Sequence, residues 1–233
     1  MRRFSKYVFP LVMAGCVQFP ILTFAAMLAY PGGTYSDHTK QSYLFFQNFF
    51  SDLGLSQTHS GGPKLLSSIL FFIALTLAGL GEILFFSFAP RLFKSRHLAY
   101  VLSLIGSIFG MISGLSYIGV AFTPADLYLQ PHALFVQLAF VSFLIAVLFY
   151  LAAVLLTPNY PKVYAWTYLA FALLLAGYVW LLFSGPSAFA AHGLVIQATG
   201  QKVIVYAAIL TMFIQAYGAW RLVQSDKSVT LHT

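Results

Sequence analysis

Six apolar stretches, each long enough to cross a lipid bilayer, constrain this chain more than any other feature. A hydrocarbon core requires roughly 20 apolar residues per span, and its lack of water favours α-helices, whose backbone groups bond one another. Only 7% of the 233 residues are charged, against roughly 25% in a soluble domain. We predict an all-α membrane protein with one domain, a polytopic bundle of six transmembrane helices near 7–29, 65–89, 98–122, 132–157, 163–184 and 202–222.

The basic residues predict the orientation of these spans. Lys and Arg accumulate in cytoplasmic connections, and one side of the predicted bundle carries most of the 12 basic residues. The pattern predicts a multi-pass protein of the cell membrane with both termini in the cytoplasm. The basic residues of that side are Arg2, Arg3, Lys6, Arg91, Lys94, Arg96, Lys162, Arg221 and Lys227, and those of the other side are Lys40, Lys64 and Lys202.

The formal net charge of +7 therefore reflects topology. No basic stripe with interleaved aromatic residues is present, which argues against nucleic acid as a partner and leaves membrane lipids as the expected partners. The N-terminus has a second interpretation, because residues 11–16 resemble a loose lipobox after a basic start. Since the apolar run is long and Pro20 interrupts it, we expect an uncleaved first span. Cys16 is the single cysteine, which excludes an intramolecular disulfide.

Three glycines at four-residue spacing lie on one face of the third predicted span, namely Gly106, Gly110 and Gly114. Such a face lets a neighbouring helix backbone approach closely. The spacing predicts a packing seam. It leaves open a hinge at this position and oligomerisation through the same face.

Acidic and histidine residues are concentrated on the non-cytoplasmic side of the predicted topology. Imidazole and carboxylate groups are common zinc ligands and proton carriers, but no His-x-x-x-His pair is present. The spacing therefore implies no cofactor, and a zinc ion remains open. The residues of this side are Asp37, His38, Asp52, His59, Asp126, His132 and His192, while Glu82, His97, Asp226 and His232 lie elsewhere.

The extracytoplasmic connection 30–64 contains a short aromatic segment that we expect in the membrane interface. It ends with Ser51 and Asp52, which would lie near the mouth of the bundle or would cap a short helix. Asp126 and His132 flank the next connection on that side. Because Pro131 favours a helix start, His132 is expected in the first turn, where free N–H groups keep an imidazole neutral. A solvated loop histidine is the alternative.

Two charged residues are expected within the membrane. Lys202 would lie in its outer half, where an ammonium group either meets an acid or extends toward the interface. Asp52 and Asp126 are the candidate acids. Glu82 is an intramembrane acid of the second span, expected to face the bundle interior. There it would carry protons, bind a cation, or be protonated and hydrogen-bonded.

Several short motifs resemble those of the six-helix membrane proteins grouped as domain of unknown function family 998, and more distantly the Frag/DRAM/Sfk group. The resemblance implies a bundle whose outward face holds the Ser-Asp motif, the acid and histidine of the third connection, and Gln201 with Lys202. Distantly related membrane hydrolases use Ser, Asp and three His around zinc, and this sequence lacks their paired histidines in the final helix. The first of these motifs is 48–54, which begins with Asn48. The others are Gly119, 122–126, His132 and 200–202.

Three functions fit these observations. The first is an extracytoplasmic pocket that binds or hydrolyses a lipid headgroup, with Lys202 holding phosphate and His132 or Asp52 activating water. The second is a small transporter or channel with Glu82 and Lys202 on its path. The third is a structural or assembly protein without catalysis. In the first, the catalytic candidates are Ser51, Asp52, Asp126 and His132, and the substrate-binding candidates are Asn48, His192, Gln201 and Lys202.

Overall fold

Six long α-helices form the computed structural model, which describes residues 2–187 and 190–230, with side chains for 7–187, 190 and 192–225. The helices are α1 (Arg2–Leu28), α2 (Leu65–Phe88), α3 (His97–Phe122), α4 (Leu129–Leu156), α5 (Val163–Ser184) and α6 (Ala191–Thr230). Each contains a stretch apolar and long enough to cross a membrane, and these residues include no β-strand. The predicted all-α, six-helix membrane architecture is confirmed. His232 and the side chains of Arg2, Arg3, Lys6, Asp226 and Lys227 lie outside the described part.

The helices pack as a closed ring in chain order. Each contacts the helix before and after it, and α6 returns to contact α1. Because short connections make consecutive helices antiparallel, alternate connections meet at the same end of the ring. Residues 30–64, which we call the cap segment, share one end with the α3–α4 connection. The opposite end, the basic end, holds the short 3₁₀ helix Ala89–Phe93 after α2 and the α4–α5 connection, where Phe93 stacks on Tyr160 at 5.3 Å.

The last helix begins well before the expected start at residue 202. Helix α6 starts at Ala191, so most of the expected connection between the last two spans is helical. Leu194 and Ala198 are buried on its inner face. Gly193 and Gly200 made this stretch resemble a connection, but packing overrides their weak helix propensity. Lys202 therefore lies about three turns inside a helix.

The glycine seam of α3 packs inside the chain. A side chain at Gly106 would contact Tyr150 of α4, and one at Gly110 would overlap Phe86 of α2. At Gly114 the contact is with backbone, since an added Cβ would lie 2.7 Å from the carbonyl oxygen of Gly79. These three positions hold α3 against α2 and α4. The seam is thus covered by helices of the same chain.

The cap segment turns back on itself over the end of the ring. Gly33 is central to this turn because its φ is +85°, a conformation that other residues rarely adopt. A Cβ at this position would also lie 2.5 Å from the backbone nitrogen of Ser60. The short 3₁₀ helix Phe50–Gly54 then directs Phe50 and Leu53 into the bundle. The segment therefore folds over one end of the ring. Its position in the membrane interface, expected from its aromatic residues, stays a prediction.

Candidate functional site

Asn48 organises the cap segment from a fully buried position. Its side-chain oxygen accepts a hydrogen bond from the N–H of Leu44 at 2.9 Å. Its amide group donates to the carbonyl oxygen of Gly33 at 3.0 Å and to Oδ2 of Asp52 at 2.8 Å. Both donors of the amide are thus used within the cap. One side chain joins three separate parts of the segment.

Asp52 is the buried carboxylate of the cap segment, with 7% of its surface exposed. Besides the amide of Asn48, its Oδ2 accepts the backbone N–H of Phe49 at 3.1 Å. Nε2 of His59 lies 3.5 Å from the same oxygen and has no hydrogen-bond partner. The carboxylate therefore fixes the local turn. A protonated His59 would form an ion pair with it.

Lys202 reaches the cap from α6 and is 1% exposed. Its ammonium group donates a hydrogen bond to the backbone carbonyl oxygen of Asn48. The centroids of three aromatic rings lie 5.2–5.4 Å from Nζ, those of Tyr43, Phe45 and Phe50. Rings at this range attract a cation through their faces. The charge is therefore stabilised by a carbonyl group and by aromatic rings.

Lys64 makes a second contact of the same kind at the start of α2. Its ammonium group donates to the backbone carbonyl oxygen of Asp52 and lies 5.1 Å from the ring centroid of Tyr30. Burial lowers the pKa of Lys64 to about 8, an effect that the nearby Asp52 and Asp126 oppose. Two buried lysines thus hold backbone carbonyls of the cap.

Asp126 attaches the cap to the α3–α4 connection. Its carboxylate accepts the N–H and the hydroxyl of Ser56 and the N–H of Gln57, with N···O distances of 2.9–3.2 Å. Partial burial alone would raise the pKa of Asp126, but these hydrogen bonds outweigh it and lower the pKa. A carboxylate that accepts several donors favours its charged form. Asp126 therefore links the cap segment to the α3–α4 connection.

His132 lies in the first turn of α4, as expected, and is 7% exposed. Its Nδ1 is 2.6 Å from the carbonyl oxygen of Thr123. Since a carbonyl group only accepts, Nδ1 carries the proton. His192 lies exposed in the first turn of α6. Asp37 and His38 lie on the outer surface of the cap, where Asp37 pairs with Lys40 at 3.0 Å.

The structure gives Asp52, His132 and Lys202 different partners. No hydrogen bond joins the three side chains to one another within the described residues, although the charge of Asp52 acts on both of the others. The sequence predicts that the three converge within hydrogen-bonding reach, directly or through one water. The direct form is not found in this part of the chain, where His132 and Lys202 bond backbone carbonyls instead. Sequence reasoning also missed the role of Lys64. The sequence feature that could have indicated this role is the position of Lys64, next to an apolar span on the side that is poor in basic residues.

A cavity of about 80 Å³ lies inside the ring beneath the cap segment. Helices α1, α2, α3, α4 and α6 supply its walls, and Phe50 with Ser51 forms its roof. Ser51 therefore faces the cavity, whereas its neighbour Asp52 bonds within the cap. Gln201 connects the cavity to the cap segment, because it lines the cavity and its Oε1 accepts the N–H of Phe50 at 2.8 Å. The remaining polar residues of the lining are Cys16, Glu82 and Tyr117.

Glu82 is the carboxyl group of this cavity and is 6% exposed. It lies on the inner side of α2, as predicted for an intramembrane acid. Among the described residues, Oε1 of Glu82 accepts no hydrogen bond and the hydroxyl of Ser113 makes none, although Ser113 lies close enough for its hydroxyl to act on the carboxyl group. A buried polar atom without a partner is costly. The arrangement leaves one acceptor available to a bound molecule.

The described residues contain no group of three or more His, Cys, Asp or Glu side chains arranged to hold a metal ion. A groove of about 500 Å³ lies on the outside of the ring between α5 and α6, where Gly177 is exposed. Comparisons with protein-family models, with curated proteins and with solved structures find no match. The resemblance to domain of unknown function family 998 stays a prediction.

Proposed function

We propose that this integral membrane protein binds a small lipophilic molecule in the cavity between its helices. The observation that carries the proposal is the cavity itself, which lies inside the ring and is lined mostly by apolar side chains. Interiors are normally packed with few voids larger than a water molecule. An apolar cavity in a protein tends to stay dry and to accept an apolar guest.

The size of the cavity restricts the guest. Its volume of about 80 Å³ is roughly half that of an engineered cavity of about 150 Å³ that accepts benzene. The guest is therefore smaller than benzene, and an alkyl chain of about three carbons meets this limit. We propose binding and not catalysis, because Lys202 is 1% exposed beneath the cap segment, where its ammonium group bonds the carbonyl oxygen of Asn48 and a phosphate group from water has no access to it.

Two glycines provide a matched test. A Cβ at Gly81, on the cavity wall, or at Gly177, in the outer groove, meets no other atom within 4 Å. Gly81→Leu would fill the cavity, and Gly177→Leu would fill the groove. We expect the purified wild-type protein in detergent to bind tritium-labelled n-propanol saturably in equilibrium dialysis, at about one molecule per chain.

Gly81→Leu should abolish this binding, and Gly177→Leu should leave it within twofold of wild type. Two results would overturn the proposal. One is a wild-type protein without saturable binding. The other is binding that survives Gly81→Leu, because the bound molecule would then occupy another place. Matched detergent without protein measures partition into micelles in each case.

A further inference from the structure

The carboxyl group of Glu82 pairs with no basic side chain of the described residues. In that part of the chain Asp37 pairs with Lys40, and Asp52 would pair with a protonated His59. The two buried lysines, Lys64 and Lys202, bond backbone carbonyls in the cap instead. An ionised carboxylate in apolar surroundings requires a paired cation. Without one the carboxyl group stays protonated, so Glu82 is a neutral acid until a basic molecule binds.

The walls around Glu82 do not suit a bare metal ion. Calcium and magnesium require about six or more oxygen ligands, whereas the rest of the described lining offers Ser51, Tyr117 and Gln201 as its oxygen-bearing side chains. A bare ion would lose its hydration shell without replacement. The lining supplies instead one carboxyl group and many apolar carbons.

An organic ammonium group matches this lining. Phe140 and Phe143 of α4 and Tyr117 of α3 line the same cavity, and aromatic faces attract cations. An alkyl chain on the nitrogen would fill the apolar part toward Phe50. One N–H group of a primary ammonium would donate to Oε1 of Glu82, which accepts no hydrogen bond from the described residues.

We propose that Glu82 binds the amino group of a linear alkylamine whose chain occupies the cavity. This inference rests on the proposed function, and it specifies the ligand class. The charges balance without a further reactant: an uncharged amine that enters from the lipid takes the proton of the Glu82 carboxyl group. The products are an ammonium group and a carboxylate, held together inside the apolar cavity.

The test compares n-propylamine with n-propanol, which has the same chain and no basic nitrogen. Both are measured by equilibrium dialysis with the purified full chain in detergent. We expect the wild-type protein to bind n-propylamine at least tenfold more tightly than n-propanol. Glu82→Gln, which keeps the size of the side chain, should remove this difference and leave n-propanol binding unchanged.

Asp37→Asn is the matched control, because it removes an acid from the outer surface of the cap. It should leave the binding of both compounds within twofold of wild type. Equal binding of amine and alcohol by the wild-type protein, or unchanged amine binding in Glu82→Gln, overturns the inference and leaves the cavity proposal standing. Failure of the wild-type protein to bind either compound overturns both.

Discussion

Buried charge in the cap segment is stabilised by backbone carbonyls as well as by a carboxylate. Lys64 and Lys202 each donate to a carbonyl oxygen of the segment, and both lie close enough to Asp52 for its charge to act on them. The opposite charge of Asp52 offsets part of the cost of burying two ammonium groups. The three residues therefore form one electrostatic unit, although no direct ion pair joins them.

This unit predicts that Asp52→Asn destabilises the protein. The new amide oxygen can still accept from Asn48 and from the N–H of Phe49, so the substitution mainly removes the negative charge. The two buried ammonium groups would then keep their carbonyl partners but lose the opposite charge of Asp52, at a cost of up to about 3 kcal/mol. Unfolding by a denaturing detergent, followed by circular dichroism, measures the loss.

Lys202→Met supplies the matching half of a double-mutant cycle. It removes one ammonium group while its chain fills the same space. The double variant of Asp52 and Lys202 should therefore be more stable than Asp52→Asn alone. Additive losses would contradict the coupling between the two charges.

The sequence indicated the residues of this site better than their partners. Lys202 and Glu82 stood out because charged residues are rare within apolar spans. The acceptor for Lys202 is the carbonyl oxygen of Asn48, and since every residue has such a group, no side-chain pattern marks it. The cavity beside Glu82 was equally hidden. A void depends on how five helices pack, which hydropathy does not encode.

Helices α2 and α3 come close enough for backbone to contact backbone. A Cβ on Gly114 would lie 2.7 Å from the carbonyl oxygen of Gly79, and one on Gly79 would lie 2.5 Å from that of Gly114. The approach is therefore reciprocal. Neither carbonyl group can move aside as a side chain could, since each belongs to a helix.

We predict that Gly114→Ala destabilises the bundle by about 1–3 kcal/mol, the usual cost of overpacking a core. Gly177→Ala is the matched control on α5, because its added methyl group meets no atom within 4 Å. It should be neutral or stabilise by up to about 1 kcal/mol. Apparent melting temperatures in detergent measure both, and equal shifts would contradict the close approach.

The spans were easier to predict than the segments between them. A run such as Leu65–Phe88 is apolar apart from Glu82 and a few hydroxyl residues, so length and composition suffice. The sequence placed the last span from residue 202, with one helix over 195–220 as a possibility, because Gly193 and Gly200 interrupt the first turns of α6. The fold of the cap segment depends on the turn at Gly33 and on Asn48, whose side-chain partners lie up to 15 residues away in sequence.

The complete ring has two chemically different ends. Arg91, Lys94, Arg96 and Lys162 belong to connections of the basic end, whereas the cap end holds the buried lysines. Exposed basic residues favour the cytoplasmic side. The orientation expected from the sequence, in which the cap segment faces away from the cytoplasm, rests on these same residues and stays a prediction.

Two exposed serines allow a direct test of this orientation. Ser42 lies in the cap segment and Ser95 at the basic end. In a Cys16→Ala background, we predict that a membrane-impermeant maleimide labels Ser42→Cys in intact cells. Ser95→Cys should react only after permeabilisation. The reverse pattern would place the cap segment in the cytoplasm.

The cap segment is tied down at several separate points. Both its ends continue into helices. Asp126 of the α3–α4 connection accepts hydrogen bonds from it, and Gln201 and Lys202 of α6 each form a hydrogen bond with it. A ligand that enters from water must break these hydrogen bonds together, whereas a ligand dissolved in the bilayer has to displace only side chains between neighbouring helices. Among compounds at equal aqueous concentration, binding to this protein should then rise with the oil–water partition coefficient.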